Sequence, residues 1–340
     1  MIREISHRVY AYRNGVQYKE LACASAPYVM ADMEADLKSA CRVSIRHDPD
    51  VDLLADQIRP FLRIDGIEQP LGVYRVASVS SSYDGAERVD ELECYDLGYM
   101  LQAKKATGVY RIAAGTSYTN AVTLLINGAG VFSSHVTPSA ATLQSDREWE
   151  IGTSYLEIAN ELLAEINYQS LWFDVYGAAV AAPPQELIAA RISHVYDSRH
   201  AYVRASFSAS QDVWDAPNVL TVVCENPDYE EPMTATARND NAQSALSTVR
   251  RGMEIVQVEL IDNIASQAEL ERYAARRISE LSYASETVEI QTELEAGHGL
   301  GDVVGLAMRD REGIYQEAGW SMTLSAGQMM HHTLRRVIYD

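Results

Sequence analysis

The 340-residue sequence has no run approaching the ~20 apolar residues that a helix needs to cross a bilayer. Its start, Met1-Ile2-Arg3-Glu4-Ile5-Ser6-His7, lacks the continuous apolar region of a secretion signal. Cysteine is scarce. Cys23, Cys41, Cys94 and Cys224 are far apart and form no C-x-x-C pair, which argues for free thiols and a reduced, cytosolic site of synthesis. Glycine (19) and proline (10) are too few for a fibrous or low-complexity chain. Positive charge is also short, with 28 Lys and Arg against 48 Asp and Glu and a formal net charge of −20. Proteins that hold nucleic acid displace its counterions with Lys and Arg, so this balance argues against DNA or RNA binding. It disfavours anionic membrane surfaces for the same reason, and no membrane insertion is expected. Solubility is a sufficient reason for the acidity, and an acidic surface would also let nucleic acid pass without sticking.

Catalytic signatures are missing as well. Gly297-His298-Gly299-Leu300-Gly301 invites comparison with a dinucleotide fingerprint, but Asp302 takes the third glycine's place and strand patterns lie on both sides. A tight turn is the better reading. The histidines form neither H-E-x-x-H nor H-x-x-x-H, and His331 and His332 are strand neighbours pointing to opposite faces, unable to chelate one ion together. No G-x-S-x-G elbow or phosphate loop is present. Trp149, Trp172, Trp214 and Trp320 could floor a sugar site, but core or interface anchoring is their commoner use. No catalytic, cofactor-binding or metal-ligating residue is therefore assigned, and no cofactor is expected.

What is present is a folded chain, 47% hydrophobic and long enough for two or three domains. Strand patterns fill the first hundred residues. Arg8 to Leu21 reads as a hairpin about Asn14-Gly15, the dipeptide of a type I′ turn. Cys41–Ile45, Ile58–Ile64, Val73–Val79 and Val89–Cys94 follow, with turns at Asp65-Gly66 and Asp84-Gly85. Pro60 marks a strand start or an edge. These strands suit a sandwich or barrel. From about 105 to 200 the pattern is mixed: helices over Ser117–Asn127 and Thr153–Asn167, the latter capped by Thr153 or Ser154, a strand from Ser170 to Gly177, and a small-residue linker from Ala178 to Pro184. Val219–Cys224 reads as a buried strand. Ser266 and Glu269 make a capping box for an amphipathic helix over 267–284, with Leu270, Tyr273, Ala274, Ile278 and Leu281 on its apolar face. Strands then follow through Val288–Leu294, Gly301–Leu306, Trp320–Leu324 and Met329–Ile338, with turns at Asp310–Gly313 and Ala326-Gly327. The order strand, Asp65-Gly66, strand, Asp84-Gly85, strand is echoed by strand, Glu312-Gly313, strand, Ala326-Gly327, strand.

Three stretches, none a catalytic signature, together carry a resemblance through their order. They are Gln57 to Asp96 with Cys94-Tyr95-Asp96-Leu97, Trp149–Tyr155 through Ser170–Gly177, and Asp212-Val213-Trp214-Asp215-Ala216-Pro217-Asn218 through Arg238-Asn239-Asp240 to the C-terminal helix and strands. In that order they resemble the baseplate or tail-tip hub proteins of tailed bacteriophages and related contractile injection machines.

The resemblance implies a β-rich α+β fold with two β-barrel-like tube modules flanking a mixed α/β insertion. The expected segments are 1–104, an N-terminal tube domain; 105–210, the insertion; and 211–340, a second tube domain carrying the 267–284 helix. It further implies a non-enzymatic homotrimer, a pseudo-sixfold ring in the virion tail tip or baseplate, synthesised in the host bacterial cytoplasm. A tail tube or distal tail protein would lie on one side and a tip or spike protein on the other, with transient passage of DNA and no specific binding. Some tail-tip relatives extend into a lytic domain; since this chain stops just after Ile338, such a module is expected on a separate protein. The alternatives are a carbohydrate-active or sugar-binding protein using the Trp and carboxylate residues, and a β-rich scaffold of another kind.

Overall fold

A computed structural model describes residues 3–85, 87–199, 203–212, 216–224, 232–242, 244, 246–261, 264, 267–281, 284–308 and 311–338. Two compact units emerge, one of residues 1–206 with 290–334 and one of 207–289 with 335–340. Compactness thus groups the chain otherwise than the three expected segments, because the C-terminal strands pair with N-terminal ones.

In the first unit, β1 (Ile5–Arg13) and β2 (Val16–Glu20) form the expected hairpin. Asn14 and Gly15 both have positive φ, 52° and 78°, as a type I′ turn requires. Next come β3 (Tyr28–Asp32), β4 (Ser39–Arg46), β5 (Gln57–Ile64), β6 (Ile67–Pro70), β7 (Tyr74–Asp84) and β8 (Glu87–Tyr95). Asp65-Gly66 turns β5 into β6, again with two positive φ angles. Alternation sends Cys41, Val43 and Ile45 of β4, Ile58 and Leu62 of β5, and Leu92 and Cys94 of β8 into one core. Pro60 departs from expectation, lying inside β5 opposite Val9. Its missing donor is tolerated because β5 changes partner there, from β7 at Gln57–Ile58 to β6 at Phe61–Ile64.

Next along the chain come α1 (Gly98–Ala103), β9 (Tyr110–Ile112), α2 (Tyr118–Gly128), β10 (Ser134–Val136), β11 (Arg147–Trp149), α3 (Tyr155–Glu165), β12 (Trp172–Phe173) and β13 (Ala179–Ala181). Leu125 and Ile126 of α2 meet Leu162 and Leu163 of α3 in a second core. Ser154 caps α3, its Oγ accepting from Glu157 N at 3.1 Å. The expected linker 178–184 is not one. It supplies β13, the middle strand between β10 and β12, where the small side chains of Ala179 and Ala181 are fully buried. A single 3-10 turn then leads to β14 (Ile192–Asp197) and β15 (Val203–Asp212).

The second unit contains β16 (Val219–Cys224), β17 (Met233–Arg238), α4 (Thr248–Arg251), β18 (Val256–Ile261) and α5 (Gln267–Leu281). β16 lies between antiparallel β17 and parallel β18. Leu270, Ala274 and Ile278 recur every fourth residue on α5 and pack on Leu220, Val222, Cys224 and Ala235. Asn218 secures the parallel crossover: its Nδ2 donates to Leu246 O at 3.1 Å and Met253 O at 3.0 Å, and its Oδ1 accepts from Ile255 N at 2.8 Å. Ser266 of the expected capping box lies outside the described residues, as do Trp214 and Asp310.

β19 (Ala284–Glu293) carries the chain back into the first unit, where β20 (Val303–Met308), β21 (Arg311–Thr323) and β22 (Met329–Ile338) complete it. The reversal expected over Asp310–Gly313 is borne out but completed earlier, since Glu312 and Gly313 already pair with β20, opposite Ala307 and Leu306, and the antiparallel pair closes with Met308 opposite Arg311. The turn at Gly327 is present with φ 80°. β20 also runs parallel to β14, and β21 pairs antiparallel with β3. One sheet therefore runs β22-β21-β3-β4-β8-β7-β5-β1-β2, uniting both ends of the chain. The fold is β-rich with few helices, as expected.

Gly72 offers a sharp test of this packing. Its φ is +143°, and a Cβ there would stand 2.6 Å from the fully buried Tyr74 ring. Backbone strain and overpacking act together, so Gly72→Ala should cost about 2–4 kcal/mol, read as a lower urea midpoint at unchanged slope.

Candidate functional site

Ionisable side chains are rarely buried unless paired, so the buried ones in the first unit locate whatever polar work it does. Two are anchors. Asp56 accepts from Arg13 Nε at 2.8 Å and Nη2 at 2.9 Å, and Asp90 takes Arg88 Nε at 2.9 Å and Ser81 Oγ at 2.6 Å.

A further set forms a cluster. β14 supplies His194 and Tyr196, two residues apart on one face; the segment after β19 supplies Glu295, His298 and Asp302; β21 supplies Glu317 and β22 supplies His332. Gly297 and Gly301, with φ 93° and 83°, shape the expected tight turn that carries His298. The Glu317 backbone locks that turn, donating to Asp302 O at 2.8 Å and accepting from Gly301 N at 2.9 Å. His298, Glu317 and His332 side chains are wholly inaccessible.

Glu317 Oε1 lies 2.9 Å from His332 Nδ1, and Glu317 Oε2 lies 3.3 Å from His298 Nδ1 without the alignment of a hydrogen bond. His332 Nε2 meets Thr292 Oγ1 at 2.8 Å, and His298 Nε2 meets the Tyr196 hydroxyl at 3.1 Å. The rings of His194 and His298 stack at 3.9 Å. Burial pushes the Glu317 carboxyl up, but its contacts with His298 and His332 more than reverse this and hold it below its ordinary value. Burial, then the neighbouring His298, lowers His194, and burial raises Asp302.

His298 and Asp302 also edge a cleft of about 220 Å³ that includes Trp172, Trp320, Asp96 and Asp174. Its carboxylates are committed to backbone donors. Asp96 accepts from Ser39 N at 2.8 Å and Gly98 N at 2.9 Å, Asp174 from Tyr176 N and Ala178 N at 2.9 Å each, and Asp302 from Gly299 N at 2.8 Å. They hold loops in place and are not left facing each other as an acid–base pair. Trp149 and Trp320 are buried in the two cores, in keeping with their expected anchoring role. The sequence reading assigned no ligand residues and missed this cluster altogether. The available signal was His332, a polar residue between Met330 and Leu334 on the buried face of a strand.

No protein-family description matches the sequence, and no curated protein does either. Solved structures match end to end. A tail protein from Neisseria meningitidis MC58 aligns at TM-score 0.69 and 12% identity, with 97% of each chain covered. The 43 kDa tail protein of prophage MuSo2 from Shewanella oneidensis aligns at 0.68 and 12%, covering 97% of this chain and 98% of that one. The fold is that of phage tail proteins. The E. coli c3393 protein aligns at 0.55 and 7% identity over 97% of this chain and 77% of its own; it is a type VI secretion component with structural similarity to the T4 tail proteins gp27 and gp5. The resemblance to tail and baseplate hubs therefore holds at the level of fold.

Asp96 makes the site's environment measurable. Burial dominates its two hydrogen bonds and pushes its carboxyl up to about 6. The folded chain then binds more protons than the unfolded one between the two pKa values, so stability falls as pH rises from about 4 to about 6, by on the order of 3 kcal/mol. The difference in unfolding free energy between wild type and Asp96→Asn should fall with pH across that window and be flat above it.

Proposed function

We propose that this chain is a non-enzymatic structural hub of a phage or prophage tail tip or baseplate. Three copies form a pseudo-sixfold ring that joins a tail tube or distal tail protein on one side to a tip or spike protein on the other, and DNA passes through it without specific binding. The observation that carries this reading is the end-to-end match to phage tail proteins, 97% of both chains for the Neisseria protein.

Physical arguments support it. A ring of three needs each subunit to span a third of the circumference, and two β-modules joined edge to edge by backbone hydrogen bonds suit that task. The β21·β3 ladder joins N-terminal and C-terminal strands in this manner. A net charge of −20 suits a channel that a polyanion must traverse without sticking. The four cysteines are free, in keeping with synthesis in the host bacterial cytoplasm. A sugar-binding reading draws on Trp172 and Trp320 at the cleft, but the carboxylates there serve backbone donors, which weakens it.

Native mass spectrometry of the purified chain should find three times the 37.7 kDa subunit mass, with rings in negative stain. A strict monomer that hydrolyses glycans would overturn the hub. Duplex DNA should show no retention near ~0.15 M salt. Tight, salt-sensitive DNA binding would contradict the passage of DNA without binding.

A further inference from the structure

We propose that His298, Glu317 and His332 form a binding site for a divalent first-row transition metal ion, zinc foremost. This goes beyond the hub reading and does not depend on it. The three residues each present a ligand atom within 4.8 Å of the others, in a fully buried setting. Metal–ligand bonds of ~2.0–2.1 Å place neighbouring donors about 2.9 Å apart at a right angle and about 3.3 Å apart at a tetrahedral one. The nitrogen–oxygen separations here are 2.9 Å from His332 Nδ1 to Glu317 Oε1 and 3.3 Å from His298 Nδ1 to Glu317 Oε2, so an ion held by both imidazoles would meet the carboxylate through both its oxygens. Two imidazoles and one carboxylate are a donor set that suits zinc and its neighbours.

The outer partners point the same way. Thr292 Oγ1 donates to Glu293 O at 2.9 Å, so at 2.8 Å from His332 Nε2 it must accept, and His332 is held as the Nε2–H form. Its Nδ1 lone pair then faces the lone pairs of Glu317 Oε1. Such an encounter requires a cation between them, either a proton or a metal ion. Glu317 Oε2 strengthens the case for the metal, being buried without a hydrogen-bond partner and directed at His298 Nδ1. Tyr196 supports His298 Nε2 as Thr292 supports His332, the outer-sphere arrangement that fixes ring orientation in metal sites. The neighbouring trio His194, Glu295 and His298 is a weaker candidate, because Glu295 is exposed and His298 Nε2 is already engaged by Tyr196.

Metal binding replaces the proton held between His332 Nδ1 and Glu317 Oε1, which leaves to solvent. His298 borders the 220 Å³ cleft while its side chain is shielded from it, so an ion would enter through local opening of the Gly297–Gly301 turn. The ion would tie β21, β22 and the Gly297–Gly301 turn together.

The test uses the full-length chain without a histidine tag, stripped with chelator. Zinc titrated against a chromophoric chelator should bind at about one equivalent per chain with sub-micromolar affinity, and the midpoint of thermal unfolding should rise. Cobalt in its place should give visible d–d bands of a low-coordinate site. His298→Gln and His332→Gln should each weaken binding at least ~100-fold, and Thr292→Val, which leaves all three ligands in place, by about 10–100-fold. Two results would overturn the proposal. One is folded wild-type chain taking up less than about a tenth of an equivalent at ~100 μM free zinc, since a site of this kind would be saturated there. The other is wild-type affinity in the His298→Gln/His332→Gln double variant. Should the variants fail to fold, the wild-type stoichiometry and cobalt spectrum decide alone.

Discussion

Backbone hydrogen bonds between Gly319–Thr323 and Tyr28–Asp32 join strands from opposite ends of the chain, and the rest of the first unit depends on that ladder. Closing a loop of roughly three hundred residues costs about 5 kcal/mol beyond a constant, because the entropy grows only with the logarithm of length. Side chains on the ladder outweigh this. Val29, Trp320, Met322 and the adjoining Leu324 are all buried, at roughly 1.5–3 kcal/mol each. Flanking bonds extend the junction at both ends, Met33 N to Ala318 O and Leu324 N to Pro27 O, each 2.8 Å. Gly319 allows the approach, since a Cβ there would stand 3.0 Å from Ala31 O.

The same strand places the polar cluster. In its second half β21 buries Trp320 and Met322, and in its first half it buries Tyr315 and Glu317, which lie on the opposite face. Ala318 and Gly319 mark the exchange, small residues buried where the two phases meet. Alternation extrapolated from Trp320, Met322 and Leu324 puts Glu317 in solvent, which is why no local pattern exposes its burial. The histidines are hidden differently. His194, His298 and His332 are brought together by the parallel β14·β20 pairing, the β20–β21 hairpin and the placing of β22 beside β21, and parallel pairing leaves no signature in local spacing.

Where local chemistry decides, the sequence was readable. Asn14-Gly15 and Asp65-Gly66 adopt the positive φ angles their turns demand, Ser154 caps α3, and the four-residue rhythm of α5 identifies its buried face. Elements set by tertiary partners were not. Ala179 and Ala181 look like linker residues until β10 and β12 enclose them, and Pro60 is tolerable inside a strand only because β5 changes partner beside it. Gly313 reads as a turn residue, yet pairing with Leu306 keeps it extended.

This division bears on how a fold can match end to end at 12% identity while no family description matches the sequence. Turn geometry, alternation and ladder register can each be met by many residue combinations, so the architecture requires few particular side chains. A catalytic constellation is different, because its chemistry admits few substitutes at each position. The likeness in fold at 12% identity is therefore a likeness of architecture. The buried His298–Glu317–His332 trio stands out against that background, as a place where particular side chains, and not only their pattern, carry the physical chemistry.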